Sequence, residues 1–239
     1  MEPVVYLIPS LLNDDAVESI PSYIISAVKD CQVLFVENER TTRRYLKKIW
    51  KASLPGQELV IDNYEWVAIG KVEHQTQSLF KQKIKEKKNI AIVSEAGCPG
   101  VADPGQSLIA IAHDMNIEVK PLVGPSSILL ALMASGMNGQ QFQFVGYLPV
   151  DPQNRAKRIQ QLETESQKKK CTQIFIETPY RNNQLIQSIL KVCKPSTRFC
   201  IAADLTAKSE WIKTKRMHQW KKQTPDLNKT PSIFLLLAE

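Results

Sequence analysis

Two kinds of residue cluster in this 239-residue chain have the composition to do chemistry. The first is a bare stretch of backbone. Residues 94–105, Ser94-Glu95-Ala96-Gly97-Cys98-Pro99-Gly100-Val101-Ala102-Asp103-Pro104-Gly105, hold three glycines and two prolines between an apolar run at 89–93 and a helical pattern at 106–115. Glycine removes the Cβ where a ligand approaches the main chain, proline stiffens the turn, and the following helix offers unpaired N–H groups. A tight strand-to-helix connection without a ligand has the same composition. A second turn, Gly124-Pro125-Ser126-Ser127, repeats the pattern before the apolar stretch 128–134, where a serine pair caps a helix or holds polar ligand groups.

The second cluster is ionic and lies at the ends of apolar runs. Glu37-Asn38-Glu39-Arg40-Thr41-Thr42-Arg43-Arg44 follows the run 31–36, and Glu177-Thr178-Pro179-Tyr180-Arg181 follows 172–176. Polar groups at the carboxyl end of a parallel strand face the ligand crevice of an open α/β sheet. Glu37, Asn38 and Arg40 are therefore placed for substrate chemistry, and Arg40, Arg43 and Arg44 can meet phosphates with their forked guanidinium groups. The competing reading is the solvated face of an amphipathic helix.

The elements that position these groups follow from apolar periodicity. Strands are expected at 4–8, 31–36, 59–62, 89–93, 117–123, 172–176, 199–203 and 233–238, the first in the middle of a sheet. Helical spacing runs through Val17, Ile20, Ile24, Ala27 and Val28, with Asp14 or Asp15 as cap and a break at Pro21. Further helices are expected at 71–88, 106–115, 128–134, 155–165 and 185–192. Lys168-Lys169-Lys170 reads as an exposed turn, and 208–222 as a cation-rich hairpin or loop. Alternating strands and helices imply βαβ units. Without a flexible linker, two α/β domains are expected at 1–121 and 122–239, meeting near 121–127.

Composition narrows the class. An apolar content of 43% and a charged content of 23% are those of a globular protein, and no apolar run is long enough to span a bilayer. The start, Met1-Glu2-Pro3-Val4-Val5-Tyr6, lacks a secretory pattern, so a cytoplasmic protein without a membrane anchor is expected. Cys31, Cys98, Cys171, Cys193 and Cys200 form no C-x-x-C pair and share no ligand spacing with His74, His113 and His218, so neither a disulfide framework nor a metal site is expected. The net charge of +7 favours phosphate-rich partners, although lysine-rich surfaces also serve solubility.

Taken together, the motifs resemble the tetrapyrrole methylase superfamily of S-adenosylmethionine-dependent methyltransferases, in particular its bacterial 16S ribosomal RNA branch, which methylates a cytidine ribose 2′-hydroxyl. Glu37-Asn38-Glu39-Arg40-Thr41-Thr42-Arg43 is similar to E-D-T-R-x-T-R, residues 94–105 to S-D-A-G-T-P-x-x-S-D-P-G, and Val123-Gly124-Pro125-Ser126-Ser127 to P-G-P-S-A. Ala134-Ser135-Gly136 adds to these. Phe144-Val145-Gly146-Tyr147-Leu148-Pro149 is similar to F-x-G-F-L-P, and Glu177-Thr178-Pro179-Tyr180-Arg181 to E-S-P-H-R. The resemblance implies a class III methyltransferase of two α/β domains, with the donor in the interdomain cleft, usually as a homodimer. Carried over residue by residue, the S-adenosylmethionine site comprises Pro9, Glu95, Ala96, Gly97, Cys98, Gly100, Val101, Ser126 and Ser127. Glu177, Thr178, Ala203, Leu205, Pro231 and Ser232 complete it.

This chain departs from the RNA enzymes at Ile8-Pro9-Ser10-Leu11-Leu12-Asn13-Asp14, where they carry T-P-I-G-N-L-x-D, and at Asp204-Leu205-Thr206-Ala207-Lys208-Ser209-Glu210, where they carry E-L-T-K-x-H-E. Asn38 replaces an aspartate and Tyr180 a histidine. Methylation of a hydroxyl needs in-line alignment and removal of a proton, for which Glu37, Glu177 and Lys208 are the candidates in that order, with Arg40 and Arg181 as phosphate anchors. The implied partner is the small-subunit ribosomal RNA. Two alternatives are a methyltransferase of tetrapyrroles or other small molecules, and a donor- and RNA-binding ribosome-associated factor without catalysis.

Overall fold

The computed structural model describes residues 2–70 and 73–239, which fall into two compact units, Met1–Ser126 and Ser127–Glu239. The first unit carries a five-stranded sheet of β1 (Val4–Ile8), β2 (Val33–Val36), β3 (Glu65–Ala68), β4 (Ile90–Val93) and β5 (Glu118–Pro121), in the order β3-β2-β4-β1-β5. Every pairing is parallel. β2 and β4 are buried at every position, as strands covered on both faces must be.

Alternation along each strand sorts the helices to opposite faces. α1 (Ile24–Asp30) and α2 (Glu39–Ser53) pack Ile24, Val28, Leu46 and Ile49 against Leu34, Val36, Ala91 and Val93. On the other face, α3 (Glu73–Lys85) and α4 (Gln106–Asp114) bring Phe80, Ile84, Leu108 and Ile111 against Val33, Phe35, Ile90 and Ile92. Connections that step toward β3 use the first face and those that step toward β5 use the second, so all the crossovers share one hand, as the handedness rule for parallel βαβ units requires.

The second unit has a mixed sheet of β6 (Phe142–Tyr147), β7 (Thr172–Ile176), β8 (Arg198–Ala203), β9 (Trp211–Arg216) and β10 (Ser232–Leu237), in the order β6-β7-β10-β8-β9. Only β6 and β7 run parallel. α6 (Pro152–Lys169) and α7 (Asn182–Val192) cover one face, where Phe234 stacks between Phe175 at 6.1 Å and Phe199 at 5.9 Å. α5 (Ser127–Ser135) packs on β10, β9 and β8, and the short α8 (Met217–Trp220) follows β9.

Several expectations need correction. Residues 61–63 form a 3₁₀ turn, and the strand of that region lies at Glu65–Ala68, pairing with β2. Val17 and Ile20 belong to a 3₁₀ turn and its exit, and its start lacks a cap from Asp14 or Asp15; Pro21 does separate it from α1. Lys168 and Lys169 continue α6, which stops at Lys170 in the left-handed region. Within 208–222, expected as a hairpin or loop, Trp211–Arg216 forms the edge strand β9, paired antiparallel with β8, so the hairpin of the two alternatives is the one found. Lys71 and Val72, included in the expected third helix, lie outside the described residues.

Candidate functional site

β2 and β4 are neighbours, but the chain leaves them in opposite directions, through α2 on one face and α4 on the other. A crevice opens at the carboxyl ends of such strands. Glu37 follows β2 and residues 94–105 follow β4. They meet there. Glu37 Oε1 accepts a hydrogen bond from the Glu95 N–H at 2.9 Å. Burial holds the Glu37 carboxyl above its ordinary range against the pull of that N–H, and the nearby Asp103 and Glu95 charges add to the effect.

The glycine-rich loop is fixed from inside and bare outside. Ser10, following β1, exchanges both main-chain hydrogen bonds with Gly97, at 2.8 and 3.1 Å, and its hydroxyl donates to the Ser94 carbonyl at 2.7 Å. Asp103 accepts from the Gly100 and Gly105 N–H groups, each at 2.8 Å, so its carboxylate closes the turn. Gly97 and Gly100 have φ of 72° and 83°, which favours glycine at both. Glu95, Ala96, Val101 and Ala102 are exposed. The Cys98 sulfur lies 3.6 Å from the Pro125 carbonyl, and burial pushes its thiol pKa up.

Pro9 and Gly124 bring the first and last loops of the unit together. A Cβ on Gly124 would stand 2.1 Å from Pro9 Cβ, so only glycine lets the two chains pass. Tyr45 donates to the Pro9 carbonyl at 2.5 Å, and the Tyr23 hydroxyl accepts from Val123 N at 2.7 Å.

The N-terminus of α2 completes the wall. Asn38 caps the helix by accepting from Arg40 N and Thr41 N, and the Thr41 hydroxyl donates to Glu95 Oε1 at 2.5 Å. Beside it lies a cavity of about 200 Å³ whose lining includes Ser10, Thr41, Arg44, Tyr45, Lys48 and Glu95. Arg43, one of the sequence candidates for phosphate, is committed elsewhere. It bonds Glu39 at 2.7 Å and Asp62 at 3.0 Å and lies over the Trp66 ring. Arg40 and Arg44 are exposed and make no ion pair among the described residues.

In the second unit the candidates gather at one end of its sheet. Ala203 pairs with Ser232, and Asp204 N donates to the Pro231 carbonyl at 2.9 Å, while Leu205 is buried beside them. Glu177 is buried at the end of β7. Its Oε1 accepts from Thr178 N at 2.7 Å and from Arg181 at 2.7 and 3.0 Å, whereas its Oε2 has no partner among the described residues. Arg181 is therefore half of an ion pair. Lys208 is exposed in the loop after β8, and Asp204 and Thr206 in that loop take φ of 51° and 69°. A β-branched residue there is strained, and the Glu210 carboxylate holds it by accepting from Thr206 N at 2.7 Å.

Residues 18–219 match the model of the tetrapyrrole (corrin/porphyrin) methylases, which covers most of the chain. The chain belongs to this methylase family. Similar proteins include the ribosomal RNA small subunit methyltransferase I of Vibrio cholerae, 26% identical over 88% of this chain and 67% of that protein. The enzyme of the same name from Buchnera aphidicola of Acyrthosiphon pisum is 29% identical over 98% of this chain and 78% of its own length. That of Escherichia coli O157:H7 is 31% identical over 70% and 57%. Among solved structures, the methyltransferase CobJ superposes with a TM-score of 0.60 at 14% identity, covering 99% of this chain and 93% of its own. Uroporphyrin-III C-methyl transferase from Thermus thermophilus, complexed with S-adenyl homocysteine, gives 0.56 at 14% identity, covering 98% and 97%.

In this methylase family member the sequence candidates of the first unit converge: Pro9, Glu37, Glu95, Ala96, Gly97, Cys98, Gly100 and Val101 lie on the loops after β1, β2 and β4, and Ser126 ends the turn after β5. Ser127 opens α5. Sequence reasoning missed the residues that hold these loops, namely Ser10, Thr41, Tyr45 and Ser94. Thr41 and Tyr45 stand four apart on α2, a spacing that marks one helix face but not the loop it meets.

Proposed function

We propose that this chain transfers a methyl group from S-adenosylmethionine to a ribose 2′-hydroxyl of small-subunit ribosomal RNA. The observation that carries the reading is the exposed, glycine-shaped main chain after β4, held by Ser10 and Glu37 at the switch point of the first sheet. The names of the curated relatives supply the substrate class, and methylases of known structure support the fold.

The residues fit such a donor. The Glu95, Gly97 and Gly100 amides are spent on Glu37, Ser10 and Asp103 and shape the loop, which leaves the neutral N–H groups of Ala96, Cys98 and Val101 to meet the donor's polar end without a charged cage, with Pro9 and Ser126 on the neighbouring loops. In the second unit, the unpartnered Glu177 Oε2 is an acceptor for an ammonium or hydroxyl group, with Thr178, Ala203, Leu205, Pro231 and Ser232 beside it. When bound, S-adenosylmethionine supplies an electrophilic methyl on a sulfonium. Glu37 takes the proton of the acceptor hydroxyl: its raised pKa brings it closer to the basicity that proton transfer at neutral pH requires. Glu177, engaged with Arg181, and Lys208, exposed on its loop, follow in that order. Arg40 holds an acceptor phosphate through its free guanidinium.

By family likeness the protein acts as a homodimer, and a ribosomal substrate implies the cytoplasm. Light scattering checks the first against a 27.1 kDa monomer. The decisive experiment is transfer of labelled methyl to small ribosomal subunits from a strain lacking the gene, followed by mapping of the product. Label on a ribose supports the proposal. Donor binding without any label in RNA overturns it.

A further inference from the structure

One face of α2 is a cationic ridge. At 3.6 residues per turn, Arg40, Arg44, Lys47 and Lys51 fall within about 60° of one another, opposite the buried Thr42, Tyr45, Leu46 and Ile49. All four are exposed, and none has an ion-pair partner among the described residues. Their neighbours on the flanks are engaged: Arg43 with Glu39 and Asp62, and Lys48 with Asp15 and the Asp14 carbonyl. The unpaired cations are thus separated from the structural ones by position on the helix.

Two features speak against a merely solvated face. Exposed helices usually interleave acids four residues from their cations, as Glu165 and Lys169 do on α6, but after Glu39 α2 has no acid. Arg40 also stands in the first turn, at the positive end of the helix dipole, where a cation is disfavoured. The ridge begins beside the candidate site. Arg40 lies three residues after Glu37, and Arg44 lines the cavity that Thr41 and Glu95 share. From there the cations recur every ~4.5–6 Å along the axis, on the order of one nucleotide step of an extended strand.

We infer that the Arg40–Arg44–Lys47–Lys51 ridge of α2 is the track for the sugar-phosphate backbone of the RNA strand leading away from the methylated nucleotide. Phosphates pair with the guanidinium and ammonium groups and carry no sequence information, so the ridge sets register and affinity. This rests on the RNA reading proposed above.

The test replaces Arg44, Lys47 and Lys51 together by glutamine, leaving Arg40 in place. Affinity for a fluorescently labelled single-stranded fragment of small-subunit ribosomal RNA is measured across salt concentrations, alongside methyl transfer to small subunits. Loss of three phosphate contacts makes the slope of log K against log salt shallower by about 2. KM for the RNA is expected to rise at least tenfold, with kcat and the donor Kd unchanged, which also shows that the variant is folded. An unchanged slope and KM in a variant of an active RNA methylase overturns the track alone. A wild-type protein that methylates no RNA overturns the underlying reading with it. A matched variant of α6 and its C-cap, with Lys157, Lys168 and Lys170 replaced by glutamine, is expected to keep the wild-type slope; equal losses in both reduce the effect to total charge and overturn the assignment. Anionic phosphatidylserine vesicles form the last arm: vesicle binding lost in the α2 variant while its RNA slope is retained assigns the ridge to a membrane instead.

Discussion

Glu37 and Asp103 brace the same loop, one from the neighbouring strand and one from within. Asp103→Ala leaves the Gly100 and Gly105 N–H groups without their acceptor, a cost of about 1–3 kcal/mol. At roughly 2–4 °C per kcal/mol for a chain of this size, Tm falls by several degrees; an unchanged melting curve contradicts the brace. Glu37→Gln keeps an acceptor for Glu95 N but cannot take a proton. Methyl transfer is then expected to fall by about 10²-fold or more with donor Kd preserved, and the acid limb of the kcat profile to disappear. Unchanged turnover removes Glu37 from the chemistry. Burial raises both carboxyls, so between the ordinary and the raised pKa the folded chain holds more protons than the unfolded one. Their contribution is full below the ordinary values, 4.5 for Glu37 and 3.8 for Asp103, and is lost as pH rises through the raised ones. Cys98 contributes differently. Its sulfur faces the carbonyls of Gly124 and Pro125, and the loop offers its main chain outward, so Cys98→Ser is expected to keep donor affinity within about threefold by calorimetry, below 1 kcal/mol.

Among the elements, the Pro9–Gly124 crossing is the tightest constraint on the site. Gly124→Ala drives a methyl group into a rigid pyrrolidine ring at 2.1–2.4 Å, and overpacking of this kind costs about 1–3 kcal/mol. The expected result is a lower Tm together with weaker donor binding, because Pro9 must move; Gly139→Ala, with nothing within 4 Å, is the control and leaves both unchanged. Equal behaviour of the two variants removes the constraint. The same region shows what sequence can convey. β1, β2 and β4 were legible because continuous apolar runs must be buried on both faces; of the two glycine turns, the first stands out because few other residues tolerate the backbone of Gly97 and Gly100, the second because Gly124 leaves room for Pro9. The strand at Glu65–Ala68 was not, since its Glu-Trp-Val-Ala is an edge strand that owes its conformation to pairing with β2 rather than to burial. Nor was the commitment of Arg43 legible. Its i,i+4 pair with Glu39 follows a local helical pattern, but its second partner, Asp62, is nineteen residues away, beyond the end of α2, where no local pattern places it.

Across the whole molecule, each unit closes a core of its own, and the way helices are shared out decides where the chain can be divided. In the first unit two apolar clusters sandwich a parallel sheet. In the second, the Phe175–Phe234–Phe199 stack fills one face of the mixed sheet, and α5 covers the other with Ala131 and Leu132 buried. α5 therefore belongs with the sheet it packs on, although the motif that opens it reads as part of the preceding turn. Residues 127–239 expressed alone are expected to unfold cooperatively, with Trp220, whose indole donates to the Phe199 carbonyl at 2.8 Å, reporting a blue-shifted emission in the folded state. Residues 136–239 lack α5, expose the β10 and β8 side chains beneath it, and forfeit about 1.5–3 kcal/mol for Leu132 alone. In urea, the midpoint of the shorter fragment should fall well below that of the longer one, or its transition should lose cooperativity. Coincident transitions would show that α5 contributes nothing to the second core and that its apolar residues serve another surface.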